Sequence, residues 1–334
     1  FTKIVHKYGM VVSGDCNSEL FHRLGATETD LSVFKEIGVD ILRMDFSFND
    51  ERDATLINNK EGIKIEMSTS FIEIIEAAIK NGAKPENIST CHNFYPERYT
   101  APSLEAINEI NNYWKAKNIP VAIFISSLVK GSHGPWPVSD GLPTIEEHRD
   151  MPIGEQLKHC LALDNVDEII IGNAYASEDE FKAIDQVMKQ VYVDVPKNEA
   201  FGFLADFIPH GMVKRVPFKI QLEEGITELE KEILFNYPTH SDLGDCMNYM
   251  LRSRWTRMIY KGKEIPCRPC TKTHYARGDV VIVNDNLAHY RGEIQIVLKD
   301  MKVDGHRNLL GRIDESELFI LEHIKAKDVF TFVE

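Results

Sequence analysis

No uninterrupted apolar run in these 334 residues approaches the roughly 20 needed to cross a bilayer as a helix. No secretory signal opens the chain, so a cytoplasmic protein without a membrane partner is expected. Clustered basic residues are equally scarce. Lys and Arg number 38 against 52 Asp and Glu, giving a formal charge of −14, and a nucleic-acid partner, whose phosphates must be neutralised, is not expected. The six cysteines are scattered through apolar or mixed segments and read as reduced thiols, which suits the cytoplasm. Cys267-Arg268-Pro269-Cys270 is the only close pair, and one CxxC without a second is a weak zinc signal, so no metal and no cofactor are expected. No GxGxxG or GxxxxGK[ST] loop follows any strand, which removes the usual ground for a nucleotide fold. Ser126 and Ser127 end a strand without a GxSxG elbow, leaving a serine-hydrolase reading little support.

What the chain does contain is a repeated pattern, an apolar β-branched run that ends in polar side chains. The densest case is Cys91-His92-Asn93-Phe94-Tyr95-Pro96-Glu97-Arg98-Tyr99-Thr100, which follows the run beginning at Ile88 and in which Pro96 stops simple strand continuation. The same pattern recurs at Met10 to Asp15, Ile41 to Asp45, Ile63 to Glu66, Val121 to Ser127 and Glu168 to Asn173. Helical periodicity separates these strands: Asp30 to Gly38, Phe71 to Lys80 with Ile72, Ile75 and Ile79 on one face, Ser103 onward with Leu104, Ile107, Ile110 and Trp114 aligned, Pro152 to Leu163, and a helix capped by Ser177. Phe1 to Lys7 reads as the last turns of a helix. Alternation at this spacing predicts βα units around a parallel sheet, with catalytic groups at the carboxyl ends of the strands. Six such units are too few for a closed (β/α)8 barrel, so the expectation is a TIM-type barrel whose first two strands are absent from this chain, against a competing doubly wound open sheet. After a mixed segment from Gln190 to Pro217, strands at Lys219–Leu222, Val280–Val283, Gly292–Leu298 and Val329–Phe332 lack matching helices. Two domains are therefore expected, an α/β barrel over 1–212 and a small β domain over 213–334.

Long motifs in fixed order then carry a resemblance. Cys91 to Pro96, Gly134-Pro135-Trp136-Pro137 with Asp140-Gly141-Leu142-Pro143-Thr144 and Glu147-His148-Arg149, and Ile171-Gly172-Asn173-Ala174-Tyr175-Ala176-Ser177 resemble the bacterial 6-phospho-N-acetylmuramidase family, once known only as an uncharacterised "outer surface protein" family. Arg277-Gly278-Asp279-Val280 and Tyr290-Arg291-Gly292-Glu293 are similar to its carboxy-terminal cyclophilin-like domain. The resemblance implies a TIM barrel joined to a cyclophilin-like β-barrel, and hydrolysis of the β-1,4 bond of MurNAc-6-phosphate-GlcNAc in peptidoglycan recycling, with that phosphorylated amino-sugar disaccharide as the partner molecule. A homo-oligomer is compatible with it.

Glycosidases of the common type use two carboxyl groups, one to protonate the leaving oxygen and one as nucleophile or base. The strand-end acids are Asp15, Asp45 and Glu66; the sequential strands of Asp45 and Glu66 favour that couple, with Asp15 as the substitute for either. Any of the three can instead be an ion-pair or capping carboxylate. His92 is a ligand for a sugar hydroxyl or an orienter of a carboxylate, or else a satisfied core histidine. Asn93, Ser126 and Asn173 suit sugar hydroxyls or an N-acetyl group, and Asn at a strand end also satisfies turns. Tyr95, Tyr99, Trp136 and Tyr175 can stack on pyranose faces or serve packing alone. Phosphate calls for positive charge, for which Arg98 and Arg149 in the first domain and Arg252, Arg254 and Arg277 in the second are available, although most arginines of an acidic protein are surface partners. Two readings from other classes stay open: a non-catalytic phosphosugar-binding or regulatory protein, and a lyase or aldolase using Lys64, which has no obvious activating neighbour.

Overall fold

The structure is a computed structural model that describes residues 1–134, 140–244 and 248–334. It is mixed α/β. Six strands, β1 (Ser13–Cys16), β2 (Ile41–Met44), β3 (Lys64–Ser68), β4 (Ile88–Cys91), β5 (Val121–Ile125) and β6 (Glu168–Ile171), lie parallel in sequence order in one curled sheet. Helices α1 (Thr2–Lys7), α2 (Ser18–Arg23), α3 (Ser32–Ile37), α4 (Arg52–Ile57), α5 (Ile72–Lys80), α6 (Leu104–Lys115), α7 (Ile153–Leu163) and α8 (Glu178–Val191) flank or connect these strands. The parallel βα alternation thus stands; α2 and α4 are two further six-residue helices that the periodicity did not reveal. β1 begins three residues later than the apolar run at Met10, and Met10 and Val11 are exposed.

Local chemistry explains the punctuation. Gly38 ends α3 with φ 85°, and a Cβ there would come within 2.9 Å of Thr2, so both backbone and space call for glycine. Ser103 caps α6, its hydroxyl accepting the Ala106 N–H at 3.2 Å, and aligns Ile107 and the fully buried Trp114 on the sheet. Trp114 Nε1 in turn donates to the carbonyl of Thr69 at 3.0 Å.

Side chains alternate across the strands with period two. Leu42, Met44, Ile65 and Met67 enter a hydrophobic core with Phe34, Ile57 and Ile75. Each such fully buried aliphatic side chain contributes roughly 1.5–3 kcal/mol. The other parity, Arg43 and Asp45 on β2 and after it, Glu66 and Ser68 on β3, is therefore committed to the opposite face. The register aligns Asp15 with Arg43, Arg43 with Glu66 and Glu66 with Ser89, so one row across four strands holds four polar residues.

Chain contacts divide the molecule into two compact units, one of residues 1–156 and 164–178, the other of 157–163 and 179–334. The expected boundary at 212 and 213 falls inside β8 (Gly211–Lys214), which pairs antiparallel with β7 (Tyr192–Val195) in the second unit. The rest of that unit is built on β9 (Val216–Leu222), β10 (His240–Ser241), β11 (Met250–Ser253), β12 (His274–Tyr275), β13 (Asp279–Val283), β14 (Ile294–Val297), β15 (Met301–Lys302), β16 (Arg307–Ile313) and β17 (Val329–Val333). Seven of these form a nearly closed, barrel-like sheet in the order β10-β17-β9-β16-β13-β14-β11, antiparallel except for β9 with β17. Its two ends are tied by His240 Nδ1 and Ser253 Oγ at 2.9 Å, around a core that includes Phe218, Val280, Ile294 and Phe330. Among the described residues no helix is long and apolar enough to cross a membrane.

Candidate active site

Arg43 organises the polar row. Only 9 % exposed, it sits with Nε 3.7 Å from Asp15 Oδ1 and 4.0 Å from Glu66 Oε1. Its Nη2 donates to Asn93 Oδ1 at 3.0 Å, and the guanidinium carbon lies 5.5 Å from the centre of the Phe124 ring. Arg43 was not among the residues singled out from sequence, because it lies inside the apolar run Ile41-Leu42-Arg43-Met44. The available signal was a charge two positions from Asp45, which places both on one face of a strand.

The carboxylates around it are electrostatically distinct. Glu66 is 3 % exposed; burial pushes its carboxyl above the usual range, Arg43 opposes, and Glu168 and Asp15 add to the rise. Asp45, just beyond β2, is raised by partial burial and then by Asp15, again opposed by Arg43. The Cys16 thiol is pushed up to about 11, chiefly by burial and then by Asp45. Ser89, next to Glu66 in the register, has a buried hydroxyl with no partner among the described residues. The site thus combines two raised carboxyls with one cation, Arg43, that they share among the described residues.

The loops after β4, β5 and β6 form a second cluster in the same unit. Asn173 Oδ1 accepts from Ser126 Oγ at 3.1 Å and from the Ser127 N–H at 2.8 Å, while its Nδ2 donates to the Ser132 carbonyl at 2.8 Å. Gly172, beside it, has no room for a Cβ, which would lie 2.6 Å from the Leu142 carbonyl oxygen. Arg149 is buried and fully engaged: Nε and Nη2 donate to Glu146 at 2.6 and 2.8 Å, and Nη1 donates to the Asp140 carbonyl at 2.8 Å. This fork, with the Tyr99 and Ala101 N–H groups, holds the Glu146 carboxyl down to about 2. Arg98 pairs with Asp150 at 2.6 Å. Arg98, Lys130, Asp140, Arg149 and Asn173 line a cavity of about 240 Å³. Lys130 and Glu146 are further residues that the sequence did not single out; Glu146 precedes Arg149 by three positions, an ion-pair spacing visible in retrospect.

The remaining expected residues are placed as follows. His92 faces α6, with Nε2 2.6 Å from Asn111 Oδ1 and Nδ1 3.2 Å from Thr69 Oγ1. Tyr95 is half-buried, and burial raises its phenol. Tyr99 is 81 % exposed with φ 69°, and Tyr175 is exposed while its carbonyl accepts from Ser132 Oγ at 2.6 Å. Trp136 lies outside the described residues. In the second unit Arg277 donates to the Leu318 carbonyl and to Glu322, both at 3.1 Å, and Arg252 forks onto the buried Glu293 at 2.5 and 2.9 Å. Arg254 is also in that unit, next to Trp255. Among the described residues no three His, Cys, Asp or Glu side chains gather as a metal site.

Comparison with known proteins adds three findings. The N-terminal model of the 6-phospho-N-acetylmuramidase family matches residues 1–186, and its C-terminal model matches residues 216–333. A crystal structure of an uncharacterised B. cereus protein is similar over 100 % of this chain and 86 % of its own, at 34 % identity and TM-score 0.82. A conserved Enterococcus faecalis protein of unknown function is similar over 99 % of this chain and 82 % of its own, at 25 % identity and TM-score 0.64. No curated protein matches.

Proposed function

The chain belongs to the 6-phospho-N-acetylmuramidase family, and from that premise we propose that it is a glycoside hydrolase cleaving the β-1,4 bond of MurNAc-6-phosphate-GlcNAc, in the cytoplasm, during bacterial peptidoglycan recycling. Its first unit is a TIM-type barrel portion and its second a cyclophilin-like β-barrel. The observation that carries this reading is the row Asp15–Arg43–Glu66 on one face of the parallel sheet, with Glu66 buried and its carboxyl raised.

A raised, buried carboxyl keeps its proton to higher pH and can deliver it to a leaving glycosidic oxygen. Glu66 takes that role. The second carboxylate is Asp45, with Asp15 the alternative, acting on the opposite side of the anomeric carbon as nucleophile or base. Arg43 keeps three acids close together without full mutual repulsion, and positions Asn93. The 6-phosphate is read by cations of the second cluster, where Lys130 forms no ion pair among the described residues and Arg98 can exchange Asp150 for phosphate. Arg149 shapes that pocket by holding Glu146 and the 97–101 loop. Tyr99 and Tyr175 offer exposed ring faces to the sugars.

The test is incubation with MurNAc-6-phosphate-GlcNAc and with its unphosphorylated analogue, following GlcNAc release with chelator present. Cleavage confined to the phosphorylated sugar, and a K130Q variant that narrows the preference about tenfold, are expected. Binding of the disaccharide without any cleavage overturns the hydrolase reading in favour of a phosphosugar-binding protein.

A further inference from the structure

The second unit holds a cavity of about 650 Å³ whose charge is opposite to that of the chain. Among the described residues Arg257, Lys261, Arg291 and His289 line it and no acidic residue does, while the chain as a whole carries −14. A cluster of cations concentrates anions unless nearby carboxylates neutralise it. Among the described residues two carboxylates approach the lining arginines, Asp285 and Glu293. Arg291 Nη1 donates to Asp285 Oδ1 at 2.8 Å. Glu293, fully buried, is taken by the Arg252 fork and by Gln295 Nε2 at 2.8 Å, which leaves Arg257 at 3.9 Å. Arg257 Nη1 is buried with no hydrogen-bond partner among the described residues, while Tyr290 stacks beneath the guanidinium at 5.2 Å and fixes its plane. Lys261 is exposed and forms no ion pair among the described residues. A guanidinium held over Tyr290 with 28 % of its side chain exposed, beside an exposed ammonium, supplies a forked contact plus a point charge for a tetrahedral dianion.

We propose that this cavity is a binding site for a small phosphomonoester, held by Arg257 and Lys261 with Arg291 at its edge. The charge count favours phosphate over a monoanionic carboxylate, since a phosphomonoester carries about −1.5 to −2 at neutral pH. The apolar faces of Phe201, Met258 and Tyr260 in the same lining accommodate the body that carries the phosphate, and the volume is in the range of small-molecule pockets. The site stands independently of the hydrolase reading, because none of its residues belongs to the acid row or to the Arg98–Lys130 cluster.

The experiment is calorimetric titration of the full chain with glucose 6-phosphate, with glucose and sodium acetate as controls, at low and high salt. Binding of the phosphomonoester alone, weakened by salt, is expected. R257Q and K261Q each lower the affinity at least tenfold, R257K recovers part of it, and K182Q, at an exposed lysine of α8 outside both pockets, leaves it unchanged. Absence of binding by the native chain overturns the proposal. So does unaltered binding by K261Q, an exposed substitution that leaves the fold intact even if R257Q does not.

Discussion

The guanidinium of Arg43 lies 4.0 Å from the carboxylate of Glu66, in register on the adjacent strand but beyond direct hydrogen-bond reach. The separation matters because Glu66 is buried: a close bidentate pair would fix it as a carboxylate, whereas at this distance burial outweighs the cation and the carboxyl is raised. Arg43 is simultaneously 3.7 Å from Asp15 and bonded to Asn93, so its charge is divided among several neighbours.

Glu66→Gln is expected to lower kcat by about 10²–10⁴, the range for removing a general acid, with KM changed only a few-fold. The wild-type rate falls as pH rises through the raised carboxyl pKa, and the variant lacks that limb. Stability follows the same sign. The contribution of a raised carboxyl is present below its unfolded value of about 4.3 and lost as pH rises through the folded one, so the variant gains relative to wild type at pH 8 and loses that gain near pH 4. Rate and melting profiles against pH check both; a variant within tenfold of wild type removes Glu66 from the chemistry.

Arg43→Gln removes the positive charge that holds Glu66 and Asp45 down, so both carboxyls move further up and the alkaline limb of kcat/KM shifts to higher pH. Breaking a buried pair costs roughly 3–5 kcal/mol, and the loss is expected to shrink toward pH 5 as Glu66 takes up a proton instead. Arg43→Lys keeps the charge but not the Nη2 hydrogen bond to Asn93, and recovers part of the stability. A pH profile identical to wild type in R43Q would falsify the shared-cation account.

The parallel sheet, its helices and the β texture of the second unit were legible because each depends on periodicity summed over many residues. The acids were visible as polar residues interrupting apolar runs, but Asp15 and Glu66 lie inside β1 and β3 and only Asp45 stands past the end of its strand, because the strands run further than their apolar stretches. Arg43 was hidden by being inside such a run rather than at its end. The side taken by His92 was hidden as well, because in a four-residue strand one step of parity decides between the Arg43 face and the helix layer, and only the register reveals it. Lys130 lies in a loop whose course nothing local dictates.

His92 is expected to act as a positioning residue for the sheet and α6. Asn111→Ala strips the 2.6 Å partner from its Nε2 and should cost about 1–3 kcal/mol, with kcat within threefold. Burial lowers the His92 pKa, so its contribution is full above the unfolded value of about 6.5 and lost as pH falls toward the folded one. Melting of wild type and N111A between pH 7.5 and 5 measures both effects; a large kcat loss at unchanged stability would place His92 in the chemistry instead.

Tyr99 is held in the left-handed region at φ 69°, where a tyrosine costs of order 1–3 kcal/mol, and its ring is nevertheless exposed. The strain is imposed by Glu146, which accepts the Tyr99 N–H at 2.8 Å and is itself gripped by Arg149. A backbone forced into this shape to present a bare aromatic ring is consistent with stacking on a sugar. Tyr99→Gly separates ring from backbone: it relieves the strain and deletes the stacking surface. KM is expected to rise about five- to tenfold, the size of an aromatic contact of roughly 1–1.5 kcal/mol, while thermal stability holds or increases. Arg149→Gln should act oppositely, loosening the loop, lowering stability above the depressed Glu146 pKa of about 2, and raising KM through disorder instead of lost contact. Steady-state kinetics with melting curves distinguishes them: unchanged KM in Y99G makes the ring a bystander, and the strain then serves only the path of the loop.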